Sequence, residues 1–129
     1  MSKKNNGLNT EILDNGMTLQ THYKNGFKDG PETYWYANGQ KASEGSYVDD
    51  KLEGSLIYWY DNGNKASEGF YINNKPEGVQ TAWDENGLIE SEQEYQNGVL
   101  NGKTVFYENG IKTEEYTLKD GDVVGELNG

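Results

Sequence analysis

An Asn-Gly dipeptide returns along this chain at a nearly fixed interval, at Asn15–Gly16, Asn38–Gly39, Asn62–Gly63, Asn86–Gly87 and Asn109–Gly110. The spacings are 23, 24, 24 and 23 residues. A second glycine series, Gly30, Gly54, Gly78, Gly102 and Gly125, keeps the same step. So does a third turn-like site at Gly26, Asp50, Asn74, Gly98 and Gly121. Three independent markers on one period define a repeat array, in which each unit leans on its neighbours.

Each unit has one layout. An aromatic-rich stretch, Tyr34–Trp35–Tyr36, Tyr58–Trp59–Tyr60, Ala82–Trp83–Asp84 or Val105–Phe106–Tyr107, precedes the Asn-Gly pair. A polar stretch follows, ending near Tyr47, Tyr71, Tyr95 or Tyr116. Both central residues of a type I′ turn need positive φ, which Asn and Gly reach at little cost, so Asn-Gly between such stretches predicts a β-hairpin. Each unit therefore reads as one hairpin, with a longer, looser turn to the next. Every window of 11 residues contains a Gly and no apolar stripe has a 3.6-residue period, which argues against helix.

The expected fold is all-β: an elongated, curved single-layer antiparallel sheet of about five stacked β-hairpin repeats of 23–24 residues. Residues 1–7 read as a flexible N-terminal segment and residues 8–129 as the repeat domain. The first hairpin diverges, with Ile12 and Leu13 where later units carry aromatics. Terminal repeats differ in this way because one side lacks a neighbour.

A two-residue turn at Asn38–Gly39 pairs Ala37 with Gln40, Tyr36 with Lys41, Trp35 with Ala42 and Tyr34 with Ser43. The same count sets Trp59 opposite Ala66 and Trp83 opposite Glu90. One face then carries Trp35, Trp59, Trp83 and Phe106 with Glu44, Glu68, Glu92 and Glu115. The other carries Tyr34, Tyr36, Tyr47, Tyr58, Tyr60, Tyr71 and Tyr95 with Lys41 and Lys65. A single bulge exchanges such assignments. Gly45 and Gly69, in the return strands, leave room for a neighbouring aromatic ring over the backbone.

Composition decides what such a sheet meets. Lysine supplies all 11 basic residues, against 22 acids, for a net charge of -11. Residues 1–64 carry -3 and residues 65–129 carry -8. An acidic chain without Arg is poorly suited to phosphate backbones or anionic lipid and well suited to a basic protein. There is no Cys, hence no disulfide, thiolate nucleophile or Cys-based zinc site. No apolar run is long enough for a membrane span or secretory leader, so a cytoplasmic location is expected, without nucleic acid or membrane partners.

The residues offer little for catalysis. His22 is the one histidine, without a nearby constellation, and Ser43 and Ser67 recur as strand residues. Glu44, Glu68, Glu92 and Glu115 fall two strand spacings apart, roughly 9–10 Å, too far for a retaining carboxylate pair or for shared metal chelation. No enzyme activity, cofactor or metal is expected. Glu90, Glu92 and Glu94 share one strand face on this register, beside Trp83, so they need either hydration or a basic partner. Trp35, Trp59, Trp83, Glu90, Glu92 and Glu94 are the candidate binding residues. A structural ladder of stacked aromatics explains the same tryptophans without a ligand.

The stretch Gly54-Ser-Leu-Ile-Tyr-Trp-Tyr-Asp-Asn-Gly63, followed by Glu68–Gly69, Tyr71, Asn73–Asn74 and Gly78, resembles the MORN repeat. More narrowly it resembles the bacterial variant class labelled as toxin–antitoxin system antitoxins. The unit from Gly30 matches nearly as well, and the resemblance spans about Leu8 to Gly125. Later units depart from it: Gln93 replaces a Gly, Asp84 replaces a Tyr, and Tyr116 follows Glu115 directly. The resemblance implies consecutive hairpins in an extended curved sheet, a non-enzymatic protein-binding role, and an antitoxin or immunity protein that blocks a basic toxin. It carries over no catalytic residue. Two alternatives stay open: a scaffold that self-associates through terminal strands or a sheet face, and a carbohydrate or cell-surface binding module.

Overall fold

A computed structural model describes residues 6–128. Of the expected flexible segment, residues 1–5 lie outside the described residues. Twelve strands form one open antiparallel sheet. They are β1 (Gly7–Ile12), β2 (Thr18–Lys24), β3 (Phe27–Trp35), β4 (Lys41–Val48), β5 (Lys51–Trp59) and β6 (Lys65–Ile72), then β7 (Lys75–Pro76), β8 (Gly78–Trp83), β9 (Ile89–Gln96), β10 (Val99–Glu108), β11 (Ile111–Lys119) and β12 (Asp122–Asn128). Spatial order follows chain order, and β7 and β8 are two pieces of one strand position, both paired with β6. Eleven positions about 4.8 Å apart give a sheet about 48 Å wide.

The single layer follows from the absence of any helix or second sheet among the described residues to cover either face. The most buried apolar side chains, Ala42, Leu52, Val105 and Leu118, still expose 7–9% of their surface. Cross-strand pairs, rather than an enclosed core, hold such a sheet together.

Two kinds of turn alternate, and their placement corrects the sequence expectation. The tight two-residue turns lie between units, at Asn25–Gly26, Asp49–Asp50, Asn73–Asn74, Asn97–Gly98 and Asp120–Gly121, with positive φ at both residues of each. Strand pairing closes directly on them, as in Val48–Lys51 and Ile72–Lys75. At Asn15–Gly16, Asn38–Gly39, Asn62–Gly63 and Asn86–Gly87 only the Gly has positive φ. There the loop has three residues: Tyr36 N–H donates to Gln40 O at 2.8 Å and Gly39 N–H to Tyr36 O at 2.9 Å. This is a type I turn followed by a left-handed Gly. Of the five marker pairs, Asn109–Gly110 alone makes the expected two-residue turn, between Glu108 and Ile111.

The extra loop residue shifts the adjoining pairs by one, and a bulge in the return strand shifts them back. Tyr36 thus faces Gln40 and Trp35 pairs with Lys41, while Tyr34–Ser43 stands as expected and Ala42 is the unpaired bulge residue. Trp59 likewise pairs with Lys65 and Trp83 with Ile89, so the expected partners Ala66 and Glu90 are corrected. The spacings of 23 mark the units that lack one of these insertions. The β1–β2 hairpin keeps one register throughout, without a bulge, and the last loop is one residue shorter. Gly30, Gly54 and Gly102, with φ of 113°, 97° and 108°, sit at irregularities inside the outgoing strands rather than between strands.

Candidate functional site

Pairing places Thr33, Glu44, Ile57, Glu68, Thr81, Glu92, Val105 and Glu115 in one row across the sheet. Trp35, Trp59 and Trp83 lie two residues beyond Thr33, Ile57 and Thr81, and therefore on the same face. The expected tryptophan–glutamate face is thus present. Its fourth aromatic is Tyr107, two residues beyond Val105. Phe106 is corrected to the opposite face, where it pairs with Ser91 and sets its ring edge-on to Tyr116 at 6.3 Å. The shorter last loop displaces an alignment counted from Asn109.

Lys41 and Lys65 are also corrected, because the bulge turns them onto the tryptophan face. Lys41 Nζ is 3.0 Å from Glu44 Oε2 and 5.7 Å from the Trp35 ring centroid. Lys65 Nζ is 2.7 Å from Glu68, and Lys112 Nζ 3.0 Å from Glu115. The hydrogen bond and charge of Lys112 hold the Glu115 carboxyl below its ordinary pKa against a smaller opposing effect of burial. Glu92 differs, because Ile89 occupies the lysine's place. Its carboxylate instead accepts a hydrogen bond from Tyr107 Oη at 2.5 Å. That bond, ahead of burial, raises the Tyr107 pKa.

The three clustered acids do not act together. Glu90 is the bulge residue and lines a hollow with Ser91 and Phe106, on the face away from Glu92. Its charge, after burial, contributes to raising the Tyr60 pKa. Glu94 shares the face of Glu92, but its carboxylate lies on the β10 backbone and accepts from Lys103 N–H at 3.2 Å. A Cβ at Gly102 would meet Glu94 Cδ at 2.6 Å, so only Gly permits that approach. Trp35 Nε1 donates to Gln20 Oε1 at 3.0 Å. Gly45 is covered by Leu52 and Leu56 methyl groups and Gly69 by Gln80, not by aromatic rings. His22 Nδ1 donates to Pro31 O at 2.9 Å, beside Gly30.

Four residues of structural weight escape a reading based on ring type. Tyr36 Oη donates to Trp59 O at 2.5 Å and Tyr60 Oη to Trp83 O at 2.6 Å. Asn38 Nδ2 donates to Asp61 O at 2.9 Å and Asn62 Nδ2 to Glu85 O at 2.8 Å. All four bonds join successive units 23 residues apart. Their signal in the sequence is recurrence of a polar atom at the turn. Asp84, in the equivalent place, accepts from Asn86 and Leu88 N–H within its own loop instead.

No curated protein sequence matches the chain significantly. Two solved structures are similar in outline: a crystal structure of TarM, at 12% identity and a TM-score of 0.49, and a crystal structure of a S. aureus TarM mutant with Fondaparinux, alpha-GlcNAc-glycerol and UDP, at 8% and 0.46. The similarity covers 92% and 95% of this chain but only 22% and 21% of those chains, so the chain spans about a fifth of their length. The MORN repeat variant family profile matches residues 28–49, 52–73 and 76–97, just over half of the chain. Each matched window runs from one tight turn to the next, enclosing a complete hairpin. A chain of such hairpins, joined by tight turns and stapled through tyrosine and asparagine, is a member of the MORN repeat variant family.

Proposed function

We propose that this chain is a non-catalytic binding protein that uses the tryptophan–glutamate face to cover a basic protein surface. The observation that carries this reading is the row of Trp35, Trp59 and Trp83 beside Glu44, Glu68, Glu92 and Glu115 on one uncovered face. The chain's excess of acid is largest, -8, in the half that contains Trp83 and Glu92. Half-buried aromatics supply contact area, and a complementary field speeds encounter and penalises wrong partners. In its narrower form the reading is an antitoxin or immunity protein, acting in the cytoplasm by blocking the functional surface of a basic toxin.

Of the candidate residues, Trp83 and Glu92 are assigned the contact, while Glu94 positions the β10 backbone. The test is affinity for the basic protein recovered on the immobilised chain. Trp83→Ala with Glu92→Lys weakens binding at least tenfold while the far-ultraviolet spectrum stays that of β-sheet. A folded double variant that binds as the parent does removes this face from the function.

A second reading, self-association, is favoured by β12, an edge strand with Val123, Val124 and Leu127 each more than half exposed. Unprotected apolar edges recruit further strands. Sedimentation at micromolar concentration decides it: a discrete dimer or filament supports the scaffold, and a monomer excludes it at that concentration.

A further inference from the structure

The repeats contain their own template for a ligand. Four times an aromatic on the outgoing strand pairs directly with a residue on the return strand: Trp35 with Lys41, Trp59 with Lys65, Trp83 with Ile89 and Tyr107 with Lys112. Each lysine binds the glutamate three residues further on, at 3.0, 2.7 and 3.0 Å. In the first case the ammonium also stands 5.7 Å from the Trp35 ring centroid, within cation–π range. The opposite face repeats the combination, with Lys28 Nζ 2.7 Å from Glu32 and 4.9 Å from the Tyr47 ring centroid. In both of these places the ammonium lies between a glutamate and an aromatic ring, and Lys65 and Lys112 make the same glutamate contact from the same register position.

Repeat four breaks the series. Ile89 takes the lysine's register position, and no ion pair reaches Glu92 among the described residues. Trp83 and Glu92 keep the backbone relationship that Trp35 and Glu44 have around Lys41. Glu92 is half-buried on β9, whose neighbours β8 and β10 carry Trp83 and Tyr107, and one of its oxygens accepts from the Tyr107 hydroxyl. That bond fixes the carboxylate without neutralising it.

We infer that the Trp83–Glu92 pair is a recognition site for an alkylammonium group, a lysine side chain of the partner, which takes the place that Lys41 fills in its own repeat. The inference rests on the proposed binding face and names the chemistry of its contact. Charge complementarity selects the occupant: an anion would meet Glu92, and a neutral apolar group would leave that carboxylate desolvated.

The test uses the full chain labelled with ¹⁵N, titrated with N-acetyl tetralysine amide, and with the same peptide acetylated on its side chains as the uncharged control. The Trp83 indole N–H and the Thr81 and Ile89 amides shift saturably with the charged peptide. The Trp35 and Trp59 indoles, whose sites hold Lys41 and Lys65, shift at least fivefold less. Ile89→Lys supplies the missing cation and weakens the response at Trp83 about tenfold. Lys41→Ala empties the other site and gives the Trp35 indole a response it lacked. Equal movement of all three indoles, equal response to the acetylated control, or an Ile89→Lys chain that binds as the parent does overturns the site. If the site fails while Trp83→Ala with Glu92→Lys still releases the protein partner, the binding face stands and only its ammonium chemistry falls. If the peptide result holds and the partner ignores the double variant, the face reading falls instead.

Discussion

A hydroxyl group separates Tyr36 and Tyr60 from the other half-buried aromatics of this sheet, because it crosses to the next unit and bonds a backbone carbonyl. A net contribution of about 0.5–1.5 kcal/mol is ordinary for such a bond. Tyr60→Phe therefore lowers the urea-unfolding free energy by about 1 kcal/mol, with the sheet otherwise intact. Burial, and then the charges of Glu90, Glu85 and Asp84, hold the Tyr60 phenol above its ordinary pKa. A raised phenol pKa favours the neutral form in the folded state. The stabilisation is thus complete below about pH 10, the unfolded value, and is lost as pH rises through the folded value. Unfolding measured from pH 9 to 11 shows the parent's advantage over Tyr60→Phe constant up to about pH 10 and shrinking above it. An advantage that grows above pH 10 contradicts the assignment. Ring identity at these positions is plain in the sequence; the role of the hydroxyl is not, because Phe and Tyr pack alike until the acceptor 23 residues away is known.

At the scale of the element, one extra residue decides which side chains share a face. The hairpins and their pairing away from the turn can be read from the sequence, as Tyr34–Ser43 shows. The bulge cannot, because Ala42 and Ala66 fit either register equally, and its effect on Lys41, Lys65 and Glu90 is a change of face. The turns were partly legible. Asn25–Gly26 and Asn97–Gly98 are Asn-Gly pairs in the tight class, whereas Asp49–Asp50 and Asn73–Asn74 reach the same conformation without Gly. Asn74 also accepts from Leu52 N–H through its side chain at 2.8 Å and has a φ of 70°. Asn74→Ala loses that acceptor and strains the turn, costing about 2 kcal/mol in urea unfolding. Asn62→Ala, where φ is not positive, loses only surface bonds to Glu85 O and Asn64 N–H and costs about half as much. Equal costs would mean that the two turn classes are energetically alike.

The whole molecule is a row of hairpins in which each strand contacts its two neighbours, so stability is close to a sum of local terms. Amide exchange in β4, β5 and β6, flanked by the tyrosine and asparagine staples, is at least tenfold slower than in the edge strands β1 and β12. Uniform protection across the sheet would indicate a cooperativity that nearest-neighbour contacts do not supply. Both the array and the proposed ammonium site depend on one register: Lys41 and Lys65 belong to the tryptophan face, and Ile89 takes the lysine's place, only if the bulges lie at residues 42, 66 and 90. Cross-strand backbone nuclear Overhauser effects measure that register directly. The structure predicts Trp35 opposite Lys41, Trp59 opposite Lys65 and Trp83 opposite Ile89. Contacts of Trp35 with Ala42 and of Trp83 with Glu90 in their place would contradict it.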